Sequence, residues 1–239
     1  FDAERDELVA RAHASGVLQM VTISTRVRKL DRLLVLTERY PSVFCSVGTH
    51  PNNADEELDV TADELVRLAE ANPKVVAIGE AGLDYFYDTQ KPEDQKTGLR
   101  RHIEAARRTQ LPLVIHSRSA DDDMAAILTE ETGKGAFPFI LHCFSSGQGL
   151  ADTGVALGGY VSFSGILTFP KSTELRDIAA TVPMDRLLVE TDAPYLAPKR
   201  WRGKRNEPSY VVNTAEVLAE VKGVSYEEIA RITTENAFR

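Results

Sequence analysis

Five residues with ionisable side chains of metal-binding type, His50, Glu80, His116, His142 and Asp192, stand at or near the carboxyl ends of five separate apolar runs. Side chains alternate in direction along a strand. On that rule Val76 and Ile78 share a face with Glu80, and Val114 shares one with His116. Ile140 likewise shares a face with His142, and Leu188 and Glu190 share one with Asp192. A single histidine at a strand end is more often a hydrogen-bonded core residue, and a single carboxylate more often caps the next helix. Four or five gathered together would each need its own buried partner, which is costly. A mixed imidazole and carboxylate set is instead the donor set of Zn, Mn or Fe, with Mg possible at oxygen-rich positions. The chemistry to expect is metal-assisted hydrolysis, with Glu190 as a hydrogen-bond acceptor for a ligand histidine.

The elements that would position these residues follow one another as strand, helix, strand, helix. The expected strands are 17–24, 43–50, 75–80, 112–116, 137–144, 160–164 and 187–192, short and rich in Val, Ile, Leu and Phe. Such runs suit strands covered on both faces. Thr61 with Glu64, and Ser225 with Glu228, are capping-box patterns before apolar helical stretches. Asn206 and Pro208 open a further helix expected to stop at Gly223. Repeated βα units imply a parallel sheet. The expectation is a single domain over residues 1–239, an α/β fold of the (β/α)8 TIM-barrel type. Its first strand would lie upstream of Phe1, because 2–15 reads as a helix with no strand before it. An open doubly wound sheet is the alternative, but no glycine-rich phosphate fingerprint follows any strand.

Hydrophobic residues make up 43% of the 239-residue chain and charged residues 27%, which is ordinary globular composition. No apolar run reaches the ~20 residues of a membrane span. Cys45 and Cys143, the two cysteines, sit in apolar runs and read as thiols in a reducing, cytoplasmic setting. A net charge of −8 opposes long-range attraction to nucleic acid. Positive charge must be gathered locally, as in the cluster Lys199, Arg200, Arg202, Lys204 and Arg205. His13 and His102 read as solvated helix residues, and Cys143 as a core residue turned away from its neighbour His142.

Gly48-Thr49-His50-Pro51, Gly79-Glu80-Ala81-Gly82-Leu83-Asp84-Tyr85, Ile115-His116-Ser117-Arg118, Leu141-His142-Cys143-Phe144 and Glu190-Thr191-Asp192-Ala193-Pro194-Tyr195 stand in this order. With the loop Arg202-Gly203-Lys204-Arg205-Asn206-Glu207-Pro208, they resemble the signatures of the TatD family of metal-dependent deoxyribonucleases over essentially the whole chain. The resemblance implies a (β/α)8 barrel and two divalent ions (Mg, Mn or Zn) bridged by Glu80. His116 and His142 would complete one site, and Asp192 would bind the other ion and help to activate water. It places His50 beside the substrate phosphate and Glu190 and Asp84 behind the ligands. Arg202, Lys204 and Arg205 fall inside the matching loop and would contact DNA, single-stranded or end-bearing, the alternative being a solvated surface loop. Arg118 reads as a phosphate clamp or as the partner of a neighbouring carboxylate, and no membrane or obligate protein partner is expected. The family's His-x-His pair on its first strand would precede Phe1, and a few residues would follow Arg239. Ser119 stands where the family often has Asp, and Arg200 where it often has Pro. Two other readings remain open: a metal barrel acting on another ester or amide, and a nucleic-acid-binding barrel without catalysis.

Overall fold

Apolar runs of three to ten residues form the strands, and amphipathic stretches between them form the helices. The structure is a computed structural model that describes residues 2–87 and 91–239. In chain order the elements are α1 (Arg5–Ala14), β1 (Met20–Thr22), α2 (Leu30–Arg39), β2 (Val43–Val47), α3 (Ala62–Ala71), β3 (Val75–Asp84) and α4 (Pro92–Thr109). They continue with β4 (Leu113–Arg118), α5 (Asp121–Lys134), β5 (Phe139–Leu141), α6 (Gln148–Ala156), β6 (Tyr160–Phe163), α7 (Thr173–Thr181), β7 (Leu187–Val189), α8 (Val211–Lys222) and α9 (Tyr226–Ala237). The chain divides into two compact units.

One unit contains residues 19–142 and 156–159. Its strands β1 to β5 pair in sequence order and all in parallel, as βα crossovers require. The core is aliphatic: Val47, Ile78, Leu83, Leu113 and Ile115 lie fully buried, as do Leu99 and Ile103 of α4 and Met124 and Leu128 of α5. Thr61 caps α3 by accepting from the Glu64 amide at 3.2 Å. β3 is longer than the sequence implied, running on to Asp84 instead of ending at Glu80. The extension needs glycine, because a Cβ on Gly82 would lie 1.9 Å from the carbonyl oxygen of His116. With no side chain there, β3 passes β4 at the level of His116.

The other unit contains residues up to 18, 143–155 and 160–239. β6 and β7 pair in parallel, and α9 is fastened beside β7 by Asn236, whose amide donates to the carbonyls of Met184 and Leu187 at 2.9 Å each. Lys222, in the last turn of α8, donates to the carbonyls of Ala179, Ala180 and Val182 at the end of α7. α8 stops at Gly223 in the left-handed region, φ 67°, where glycine has no Cβ penalty. Ser225 caps α9 through the Glu228 amide. Asn206 does not open α8. It is buried and donates to the carbonyls of Thr191 and Tyr195, while a short 3-10 turn, Pro208–Tyr210, leads into the helix.

Several strands end earlier than their apolar runs. The run 17–24 yields Met20–Thr22, the run 137–144 yields Phe139–Leu141, and the run 187–192 yields Leu187–Val189. Buried residues continue into the turns after β1 and β5, with Ser24 and Phe144, whereas the half-buried Glu190, Thr191 and Asp192 follow β7. Among the described residues no helix is long and apolar enough to cross a membrane.

Candidate metal centre

β3 and β4 supply the centre's two strand residues. The β3–β4 register skips Glu80, stepping from Gly79 opposite Val114 to Ala81 opposite Ile115. A bulge of this kind frees one residue from the ladder and re-aims it. The Glu80 amide is satisfied instead by the Ser24 carbonyl at 2.9 Å. His116 lies within β4, and His142 lies in the turn just after β5, its amide donating to the Ile115 carbonyl at 3.0 Å. His50 follows β2 at the head of a 3-10 helix, Pro51–Glu57.

These four side chains meet on a single oxygen. Glu80 Oε1 lies 3.0 Å from His116 Nδ1, 3.0 Å from His142 Nε2 and 3.4 Å from His50 Nε2. The His50 and His116 rings meet edge to face, their centroids 4.6 Å apart. His116 Nε2 lies 3.1 Å from Asp84 Oδ2, so one imidazole links two buried carboxylates. Asp84 is held from its other sides. Gln95, buried in α4, accepts from the Asp84 amide at 2.8 Å and donates to the Asp84 carbonyl at 3.0 Å. Asn52 Nδ2 donates to Asp84 Oδ2 at 3.3 Å.

Burial works against charge on Glu80, yet the surrounding histidines, His142 foremost, hold its carboxyl well below the usual range. His116 is pushed up despite burial by its bonds to Asp84 and Glu80. His50 is pushed down to about 4 by burial, with Glu80 opposing. Its Nδ1 accepts from the Asn52 amide at 3.0 Å. A neutral ring with Nδ1 as acceptor carries its proton on Nε2, so His50 presents a donor to the centre and no lone pair. Glu80, His116 and His142 remain as groups that can offer a lone pair to a cation. With Asp84 accepting from His116 Nε2, the pattern is that of a carboxylate orienting a ligand histidine. The donor chemistry therefore fits a divalent ion.

Beside the centre lies a buried network that the sequence did not reveal. His102, expected to be solvated, is only 3% exposed. Its Nε2 accepts from the Thr49 amide at 3.1 Å and its Nδ1 donates to the Gly98 carbonyl at 2.8 Å. Thr49 donates its hydroxyl to Glu57, whose carboxylate also accepts from the amides of Val27 and Arg28. The charged positions flanking His102 hid its inward face. Gln95 and Asn52 were missed as well, since neither type announces a role when read alone.

Arg118 ends β4 in the same unit, and the remaining candidates belong to the other unit. Asp192 follows β7 with φ 58°, and Cys143 has φ 44°, so strand alternation does not govern where either points. Cys143, expected to turn into the core, is half-buried with Sγ 3.2 Å from Ser164 Oγ and 3.8 Å from Asp192 Oδ2. The amide of Glu190 donates to the Phe163 carbonyl at 3.0 Å. In the basic loop Lys204 and Arg200 lie over Trp201, 5.2 and 5.5 Å from its ring centroid. Trp201 itself stacks on Tyr210 at 4.5 Å. Arg202 lies over Phe169, and Arg205 pairs with Glu4 on the surface. His13 is exposed, Nδ1 meeting the Val17 carbonyl at 2.9 Å.

Comparison with known proteins matches the family model described as TatD related DNase over residues 1–239. An uncharacterized metal-dependent hydrolase of Bacillus subtilis (strain 168), YabD, is 40% identical, covering 100% of this chain and 93% of its own. A Salmonella typhimurium protein named 3'-5' ssDNA/RNA exonuclease TatD is 32% identical over 99% of this chain and 92% of its own. Among solved structures, the TatD homologue YJJV of Escherichia coli K12 superposes with a TM-score of 0.92 at 30% identity, covering 100% of this chain and 92% of that one. The fold is thus of the α/β, TIM-barrel class.

Proposed function

The chain belongs to the TatD related DNase family of metal-dependent hydrolases, and from that premise we propose that it cleaves the phosphodiester bonds of DNA, single-stranded or end-bearing. The observation that carries this reading is the convergence of His116, His142 and His50 on Glu80 Oε1. The Salmonella relative's name supports a nucleic-acid substrate.

Glu80, His116 and His142 would hold one divalent ion, and Asp192 would be a ligand of a second. Two such ions, Mg, Mn or Zn, lower the proton affinity of a water and offset charge gathering on the phosphate. The protein's own groups do the rest. Asp84 accepts from His116 and fixes the tautomer that leaves Nδ1 free to bind. Asp192 takes the proton of the attacking water at a carboxylate oxygen. His50 donates from Nε2 to a phosphate oxygen, a task for which a neutral, buried ring with a fixed proton is suited. Arg202 and Lys204 hold flanking phosphates despite the acidic total, with Arg205 beside them and Glu190 supporting the ligands. Two free thiols, Cys45 and Cys143, fit work in a reducing compartment such as the cytoplasm.

Asp192→Asn is expected to lower divalent-dependent cleavage of single-stranded DNA by at least a hundredfold (on the order of a lost general base), with circular dichroism unchanged. Unaltered turnover removes Asp192 from the mechanism. The same metal-supplemented assay run on RNA and on small esters and amides separates DNA cleavage from hydrolysis of another substrate.

A further inference from the structure

Just past the end of β3, next to the centre, two aromatic side chains stand in solvent. Phe86 is 58% exposed and Tyr87 47%, and their rings meet at right angles with centroids 5.0 Å apart. Arg118, the last residue of β4, lays its guanidinium over both, 3.8 Å from the Phe86 centroid and 5.0 Å from that of Tyr87. Among the described residues Arg118 forms no ion pair, so its cation is directed at the rings and at whatever approaches them. The cluster is tied to the centre by short links. Asp84 Oδ1 accepts from the amides of Phe86 and Tyr87 at 3.0 and 3.4 Å, and its Oδ2 meets His116. The Tyr85 amide donates to the Arg118 carbonyl at 2.9 Å.

An exposed aromatic pair gains nothing from water, and here it is held in place by the carboxylate that also orients His116. Aromatic rings with a neighbouring guanidinium are the usual means of gripping a nucleobase by its flat face. Bases inside a duplex already stack on one another, whereas those of a single strand have faces to offer. Positive charge at Arg118 suits a polyanion. We propose that Phe86, Tyr87 and Arg118 form a stacking platform for an unpaired nucleobase flanking the scissile phosphodiester, so that this protein grips a single strand by a base as well as by its phosphates. The choice of ligand rests on the proposed phosphodiesterase activity. Arg118, expected from the sequence to touch DNA, acts here chiefly as a cation over aromatic rings.

The test is anisotropy of fluorescein-labelled oligothymidylate against a strand of equal length built of abasic residues, both in EDTA. The wild-type chain is expected to prefer the base-bearing strand by roughly five- to a hundredfold, the worth of one stacked base. Phe86→Ala with Tyr87→Ala should erase that preference with little change in affinity for the abasic strand, and Phe86→Trp should keep it. Equal affinity of the wild-type chain for both strands, or an undiminished preference in the double variant, overturns the proposal. Both rings are exposed, so the double variant should fold, which circular dichroism checks. Cleavage of the base-bearing oligothymidylate by wild-type protein with Mn2+ is read separately. Its failure counts against phosphodiester cleavage, while the preference for bases is decided by binding alone.

Discussion

Glu80 Oε1 lies 3.0 Å from His116 and His142 and 3.4 Å from His50, and the partner of the far ring nitrogen separates what His116 can do from what His50 can do. A histidine whose far nitrogen is satisfied by a carboxylate can turn the near one to a cation, as His116 can through Asp84. A histidine whose far nitrogen accepts an amide proton must donate from the near one, as His50 does. With a divalent ion held at the proposed centre, Asp84 would act on it through His116. Asp84→Asn should weaken Mn2+ binding about 10- to 100-fold, the usual cost of removing such a support, as measured by titration calorimetry. An unchanged affinity would show that His116 needs no help in holding its orientation.

At the scale of elements, the sequence read correctly where hydrophobic period and capping agree. β2, β4, β6 and the caps of α3 and α9 lie where Val, Ile and Phe runs and the Thr61 and Ser225 patterns put them. Glu80, His116 and His142 were legible as a set because each stands at the end of an apolar run. What could not be read were departures from regular backbone. The bulge at Glu80 and the positive φ of Cys143 and Asp192 come from tertiary packing that local pattern does not encode. His102 was misplaced for another reason: a charged stretch of helix α4 still has one inward face. That face bears on stability. Burial lowers the His102 pKa from 6.5 to about 4, so the folded chain keeps the ring neutral while the unfolded chain takes a proton below 6.5. Stability then declines as pH falls from 6.5 towards 4, by roughly 3 kcal/mol over that interval. In His102→Gln, which retains a donor and an acceptor but does not titrate, denaturant unfolding in EDTA should show a correspondingly shallower acid decline. Parallel pH curves for the two chains would mean that His102 is not buried neutral.

On the scale of the whole molecule, charge is unevenly distributed. The chain carries a net −8, yet Arg200, Arg202, Lys204 and Arg205 lie within six residues, and several rest on aromatic rings. If that loop grips phosphates, Arg202→Glu with Lys204→Glu should weaken binding to single-stranded DNA and reduce the steepness of its salt dependence by about one per phosphate no longer neutralised. Identical salt slopes would make the loop a solvated surface and nothing more. The central claim is that Glu80 and its histidines hold a divalent ion used to break phosphodiesters. It is tested most directly by following cleavage of labelled single-stranded DNA as Mn2+ is returned to EDTA-stripped protein, for the wild-type chain and for Glu80→Gln. The expected result is activity that climbs with added Mn2+ in the wild type and stays at background in the variant. Cleavage that ignores the metal, or that is equal in the two proteins, contradicts it.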